Sequence, residues 1–208
     1  MANTDYRKLL DSMQKELSRA INDRLPRKVG VIAVNHTRQN FRDGGFRDGG
    51  LKKWKTTQRQ LSGDKKASSR YGPLLSGRNR LFGATDYFPS QGKVTVYNPV
   101  EYARIHNEGG EVNTHPRVTP KMRKMAWARY FKEAGIKRNM GKKRRKQLDD
   151  SASDKAKMWK HIALTRKPVL DVHAVIPQRK FLGESKELTE KIRKAAEDEL
   201  LNVVKNYF

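Results

Sequence analysis

Apolar residues recur every three or four positions at both ends of this chain and every second position near its middle. That change of period is what most limits the fold. At the start, Thr4 can cap a helix, and Tyr6, Leu9, Leu10, Met13, Leu17, Ala20 and Ile21 then form one stripe. Leu25-Pro26 should end that helix, because proline cannot donate to it. At the other end, Ser185 opens a helix with Leu188, Ile192, Ala195, Ala196, Leu200, Val203, Val204 and Tyr207 along one face. In between, Leu81 to Phe88 and Lys93 to Asn98 have strand character and flank Pro89-Ser90-Gln91-Gly92, a turn chemistry suited to a hairpin. Val94, Val96 and Asn98 alternate with Thr95 and Tyr97, as in a strand with one buried face. Val169 to Ile176 reads as a further strand, stopped by Pro177. Val29 to Phe41 is ambiguous. Val29-Gly30-Val31-Ile32-Ala33-Val34 is strand-like, whereas Val29, Ile32, Ala33, His36 and Asn40 fit a helical face, the preferred reading. The expected class is α+β: a small antiparallel sheet flanked by N- and C-terminal amphipathic helices, with a helical insertion.

The insertion carries most of the charge. The chain has 46 Lys and Arg against 22 Asp and Glu, a net of +24, which predicts attraction to polyanions. From Asn113 to Pro168 there are 18 basic and 4 acidic residues, so more than half the excess sits in about a quarter of the chain. The domain reading is therefore a body, 1–112 and 169–208, carrying a basic helical arm, 113–168. Within the arm, Thr119-Pro120 starts a helix that runs to about Ala134, with Met122, Met125, Ala126, Arg129 and Tyr130 on one side. Gly135 to Asp150 reads as a polar connector, and Ser153 or Asp154 caps a second helix with Ala156, Trp159, Ile162 and Ala163 on its apolar face. Trp127, Tyr130, Phe131 and Trp159 fit a small helix-pair core better than a base-stacking platform. Lys137, Arg138, Lys142, Lys143, Arg144, Arg145 and Lys146 put seven cations in ten residues. Two readings stand for them: phosphate contact without base readout, or a solvated mobile loop.

A tandem duplication, Phe41-Arg42-Asp43-Gly44-Gly45 and Phe46-Arg47-Asp48-Gly49-Gly50, supplies turns. It reads as a surface loop anchored by its Phe rings, with Trp54 pinning the far end. Gly63 to Gly72 is polar and is expected to be mobile and irregular.

Three segments in fixed order are distinctive: Leu74-Leu75-Ser76-Gly77-Arg78-Asn79-Arg80-Leu81, then Glu101-Tyr102-Ala103-Arg104-Ile105-His106-Asn107-Glu108-Gly109-Gly110, then Ile176-Pro177-Gln178-Arg179-Lys180-Phe181-Leu182-Gly183. Together with a closing helix they resemble the phage virion morphogenesis family, the tail-completion proteins of Mu-like and related long-tailed phages. The resemblance runs from about Trp54 to Phe208, interrupted by the insertion after Gly110. The first segment is looser, because Asn79-Arg80 separate Gly77-Arg78 from Leu81. The resemblance implies a non-enzymatic tail-completion or neck component at the head–tail junction. Neck, tail or connector proteins are then the expected partners. A ring-forming homo-oligomer is expected because a neck protein must match a rotationally symmetric channel, and non-specific contact with packaged DNA is the phosphate reading of the basic cluster. The alternative is a general nucleic-acid-binding protein with no virion role. Read physically, the motif residues Trp54, Ser76, Gly77, Tyr102, Ala103, His106, Gly109, Gly110, Pro177, Arg179, Phe181 and Gly183 look like joints. Gly109-Gly110 permits a tight reversal, Tyr102 and Ile105 would face the core from one helical turn, and Phe181 and Leu182 would bury under the last helix.

Catalytic patterns are weak. There are no cysteines, and none of the five histidines, His36, His106, His115, His161 and His173, has the i, i+4 spacing of a helical zinc site. His106-Asn107-Glu108 suggests a metal-dependent nuclease only faintly, and a turn-stabilising histidine fits better. Gly44-Gly45 and Gly49-Gly50 lack the Lys-Ser/Thr of a phosphate loop, and Ser76-Gly77 lacks the full nucleophile-elbow pattern. No metal or cofactor is expected. No run approaches the roughly 20 apolar residues of a membrane span, and Met1 to Arg24 lacks a signal-peptide core. The chain is therefore expected to be soluble and made in the cytoplasm; the resemblance implies assembly in the host cytoplasm and a final place in the virion, at the head–tail junction.

Overall fold

A computed structural model describes residues 2–61 and 70–207, the side chains of 2–5 excepted. The chain runs through α1 (Ala2–Arg19), a π-helical turn (Ala20–Arg24) and α2 (Leu25–Asp43). Strands β1 (Gly45–Arg47) and β2 (Leu51–Lys53), helices α3 (Gln58–Leu61) and α4 (Arg80–Gly83), and strands β3 (Asp86–Ser90) and β4 (Lys93–Tyr97) follow. Next come α5 (Ala103–Glu108), β5 (Gly110–Thr114), α6 (Pro120–Glu133), α7 (Lys142–Asp150), α8 (Asp154–Leu164), β6 (Val172–Ile176) and α9 (Lys186–Lys205). The class is α+β, with helices at both ends. The described strands form three two-stranded sheets, β1–β2, β3–β4 and β5–β6, where the sequence suggested one.

Contacts divide the chain into two units, Met1–Gly110 with Ile176–Phe208, and Glu111–Val175. Strands β5 and β6 go with the insertion, whose ends thus lie outside the 113 and 168 read from charge.

In the first unit, α1, the π turn and α2 form one continuous helical rod, so the helix does not stop at Pro26. The physical reason is local. Leu25 N–H reaches back five residues to the Ala20 carbonyl, which widens the helix by one residue just before the proline. Pro26 has no N–H, so the Asn22 carbonyl loses its ordinary helical donor. Gly92 N–H, at the tip of the β3–β4 hairpin, takes that place at 3.2 Å. Val29 to Phe41 is helical, as preferred above. The helix starts at Ala2, so Thr4 lies inside it rather than capping it.

The β3–β4 register pairs Tyr87 with Val96 and Phe88 with Thr95. Pro89 therefore belongs to β3, and the turn is only Gln91-Gly92. Leu81 to Gly83 is helical instead of strand, because Ser76 and Asn79 build a local turn that launches α4. Gly30 faces the hairpin, and a Cβ there would sit 2.1 Å from the Tyr87 ring, so only glycine lets β3 approach α2 this closely. Phe41, Trp54, Leu81, Val100, Ala103 and Phe181 form the core of this unit. Of the Gly63–Gly72 stretch, residues 63–69 lie outside the described residues.

In the second unit α6 and α8 pack around Tyr130, Ala134, Ala152 and Ala156, flanked by Trp127, Ile136 and Trp159. Thr119 and Ser153 cap these helices, accepting from Met122 N–H and Ala156 N–H at 3.2 Å each. Lys142–Asp150, read as connector, is the helix α7. No Gly or Pro interrupts that run, and most of its residues are good helix formers, so propensity outweighs the charge.

Candidate functional site

The three ordered segments meet in the first unit as a joint. Ser76 N–H donates to Asn79 Oδ1 at 3.0 Å, and Asn79 N–H to Ser76 Oγ at 3.2 Å. This reciprocal turn holds Asn79 in the left-handed region (φ 43°) and delivers Leu81 to the core. A Cβ at Gly77 would meet only ordinary van der Waals contact, 3.6 Å from the Tyr71 hydroxyl. In the second segment Ala103, not Tyr102, faces the core. Tyr102 stands at the helix start, exposed, its ring edge-on to His106 at 5.9 Å.

The second and third segments are tied together directly. The His106 carbonyl accepts from Arg179 N–H at 2.8 Å. Asn107 Oδ1 accepts from both Phe181 N–H and Leu182 N–H, at 2.9 Å each. Gly109 has φ 76°, and a Cβ there would lie 2.8 Å from Gln178 N, so glycine is needed for both conformation and approach. Gly110 (φ 139°) and Gly183 (φ 146°) also lie at positive φ, on either side of the joint, and Pro177 follows the last residue of β6. Trp54 Nε1–H donates to the Lys180 carbonyl at 2.9 Å, and Asn40 Nδ2–H to the Phe181 carbonyl at 3.1 Å. Phe181 itself is buried against Phe41, ring centroids 4.9 Å apart.

One buried and one half-buried ionisable group sit in this joint, Arg179 and His106. Arg179 is 6% exposed, and its guanidinium donates to the Lys55 carbonyl at 3.1 Å; burial lowers its pKa from the usual arginine value. Burial, helped by Arg179, holds the His106 imidazole below its ordinary 6.5. Its Nδ1 has no hydrogen-bond partner among the described residues. Among those residues no group of three or more His, Cys, Asp or Glu is placed to hold a metal ion. The sequence puts Asn40 on a helical face and Asn107 inside the second segment but gives neither a role in the joint, because only folding brings a distant backbone to each side chain.

The duplicated pentapeptide takes two different roles. The first copy closes α2: Phe41 enters the core, Gly44 is its left-handed C-cap (φ 63°), and Asp43 pairs with Arg47 at 2.6 Å. The second copy makes the β1–β2 turn. There Glu187 accepts from Gly49 N–H and Gly50 N–H at 2.8 and 3.1 Å, and Asp48 accepts from Lys186 N–H at 3.2 Å. The turn and the start of α9 thus cap each other, and the segment is a hairpin rather than a plain loop. Phe46 and Trp54 are both buried, the anchoring expected of them.

The seven basic candidates lie in the second unit. Lys137 and Arg138 sit between α6 and α7, and Lys142, Lys143, Arg144, Arg145 and Lys146 are the first five residues of α7. All seven are exposed, and among the described residues none is in an ion pair. Arg145 donates to the Arg138 carbonyl, which holds the connector against the helix. The neighbouring acid is already engaged: Asp149 accepts from Lys160 Nζ and from Tyr130 Oη, at 2.6 Å each. Burial and that carboxylate push Tyr130 up to about 12.

The first unit is an α+β body whose motif residues serve as chain joints, and the second a helical insertion with a free cationic surface. The sequence profile of the phage virion morphogenesis family matches residues 2–201, and the chain belongs to that family. Its role is in phage morphogenesis, among other phage structural proteins. No curated protein and no solved structure matches the chain. No helix among the described residues is long and apolar enough to cross a membrane.

Proposed function

We propose that this chain is a non-enzymatic tail-completion or neck protein at the head–tail junction, forming a ring around the DNA channel. The observation that carries the reading is how the ordered motif residues are used. Asn107, Arg179, Trp54 and the His106 carbonyl spend their polar groups on backbone atoms of the same joint. That is the construction of a scaffold, fixed before any partner arrives. A ring needs two complementary surfaces on each copy. The body exposes Tyr6, Leu9 and Leu10 on the first turns of α1, and Phe88 with Tyr97 on one face of the β3–β4 hairpin. The insertion, which interrupts the body and carries its own apolar helices, also exposes Met125, Phe131, Met158 and Leu164.

Particle imaging with native mass spectrometry tests the reading. The expected result is a stoichiometric ring of this chain at the junction. A chain absent from particles and monomeric alone would instead favour a nucleic-acid-binding protein with no virion role. His106→Asn should impair folding or assembly only. A metal-dependent nuclease activity in clean protein, abolished by that change, would overturn the non-enzyme reading.

A further inference from the structure

We infer that the inserted unit grips double-stranded DNA by its phosphates, without reading sequence, on the cations of the α6–α7 connector and α7. The unit Glu111–Val175 holds 18 Lys and Arg against 6 Asp and Glu. Most of those acids are occupied internally: Glu133 by Lys155 at 2.8 Å, Asp149 by Lys160, Asp171 by His115 at 2.9 Å and Glu111 by His173 at 3.7 Å. Among the described residues none of the seven cations from Lys137 to Lys146 is in an ion pair.

Leaving them so has a cost. Lys142 with Arg145, Lys142 with Lys146, and Lys143 with Lys146 are like-charged neighbours on helical spacing. A polyanion relieves that repulsion, and duplex DNA presents one charge per roughly 1.7 Å of its axis. The distribution around the helix favours DNA over an acidic protein face. Five consecutive residues, about 100° apart, place cations on every side of α7. A flat acidic patch meets one stripe of a helix, whereas a helix seated in a DNA groove meets phosphate rows on both flanks. Asn139 and Gln147, eight positions apart, are the two amide side chains of the connector and α7, so no amides are grouped there to read base edges.

The virion reading supplies only the choice of DNA as the polyanion, and the assay uses purified full-length chain. Its failure therefore leaves the place in the particle untouched. Binding to two duplex oligonucleotides of equal length and unrelated sequence is measured across a salt series. About five neutralised phosphates give a log–log slope of roughly −4 to −5, a loss on the order of 10²- to 10³-fold between 50 and 200 mM salt. Changing Lys142, Lys143, Arg144, Arg145 and Lys146 together to Gln should flatten the slope by several units for both duplexes, with the circular dichroism spectrum retained. Changing Lys142, Lys143 and Lys146 to Arg should preserve it. An unchanged slope in the folded five-Gln variant would overturn the inference, because the remaining body charge would then account for binding. Poly-glutamate of matched charge binding as tightly as DNA would overturn it too, in favour of an acidic protein partner.

Discussion

At the scale of single residues, the joint depends on side chains that stand in for backbone. Asn107 is the clearest case, since one carbonyl oxygen serves two amides from a segment more than seventy positions away. Removing it strands both donors, and an unmet buried donor costs about 1–3 kcal/mol. Asn107→Ala is therefore expected to destabilise the protein by about 2–4 kcal/mol in urea unfolding. Asn107→Asp keeps an acceptor oxygen and should recover most of that loss. Equal damage from both substitutions would show that the two amides are not what Asn107 serves. The duplicated pentapeptides make a related point. Identical residues became a helix cap in one copy and a hairpin turn in the other, because only the second copy lies against the start of α9.

At the scale of elements, two helices run against local rules, each with a visible reason. The rod survives Pro26 because the π turn widens it and Gly92 accepts the job of the missing donor. Helix α7 places five cations in its first five residues, none of them acidic, where the helix dipole favours anions. Its only acids, Asp149 and Asp150, lie at the opposite, unfavourable end. Lys142→Glu and Lys143→Glu should therefore each raise stability, by about 0.3–1 kcal/mol at low ionic strength, with the gain fading in salt. Thermal unfolding followed in low and high salt checks this. If the same variants lose DNA binding while gaining stability, the charge arrangement serves binding at the expense of the helix. A stability loss would mean that these lysines have favourable partners in the folded chain.

At the scale of the whole molecule, acid should unfold the protein in two stages. His36 is 3% exposed, Nε2 at 3.1 Å from Ser185 Oγ, and burial lowers its pKa from 6.5, as burial does for His106. Unfolding frees both rings to take up protons more readily. Their contribution to stability is thus full above about 6.5 and is lost as pH falls from there toward the folded values. The carboxylates act lower. Asp43, held down by Arg47, Glu187, held down by the Gly49 amide, and Glu199, held down by Arg24, all lie below their ordinary values. Their contribution is present above the usual carboxylate range and disappears as pH falls through the folded values. Denaturant midpoints at about pH 7.5, 5.5 and 3.5 should fall at each step. Replacing both histidines with Gln should flatten the first step alone. A midpoint unchanged between the first two values would mean that neither imidazole is held neutral by the fold.

Periodicity and caps are properties of neighbouring residues, and these the sequence determined alone. The terminal helices, the starts at Thr119-Pro120 and Ser185, the α+β class and the family motifs were all legible before any contact was known. Pro26, Pro89 and Leu81 misled for one reason. Each was judged by its own preference, while its state depended on a residue elsewhere: Gly92 for the rod, β4 for Pro89, and the Ser76–Asn79 turn for Leu81. The cationic run was visible as charge but not as helix, because its electrostatics and its propensity disagree. Only the tertiary structure decided that Asn40 and Asn107 belong to the joint and that, among the described residues, the strands form three separate pairs and the seven cations are in no ion pair. Each of these turns on groups far apart in the chain, whose energies exist only once the backbone has brought them within hydrogen-bonding or ion-pairing distance.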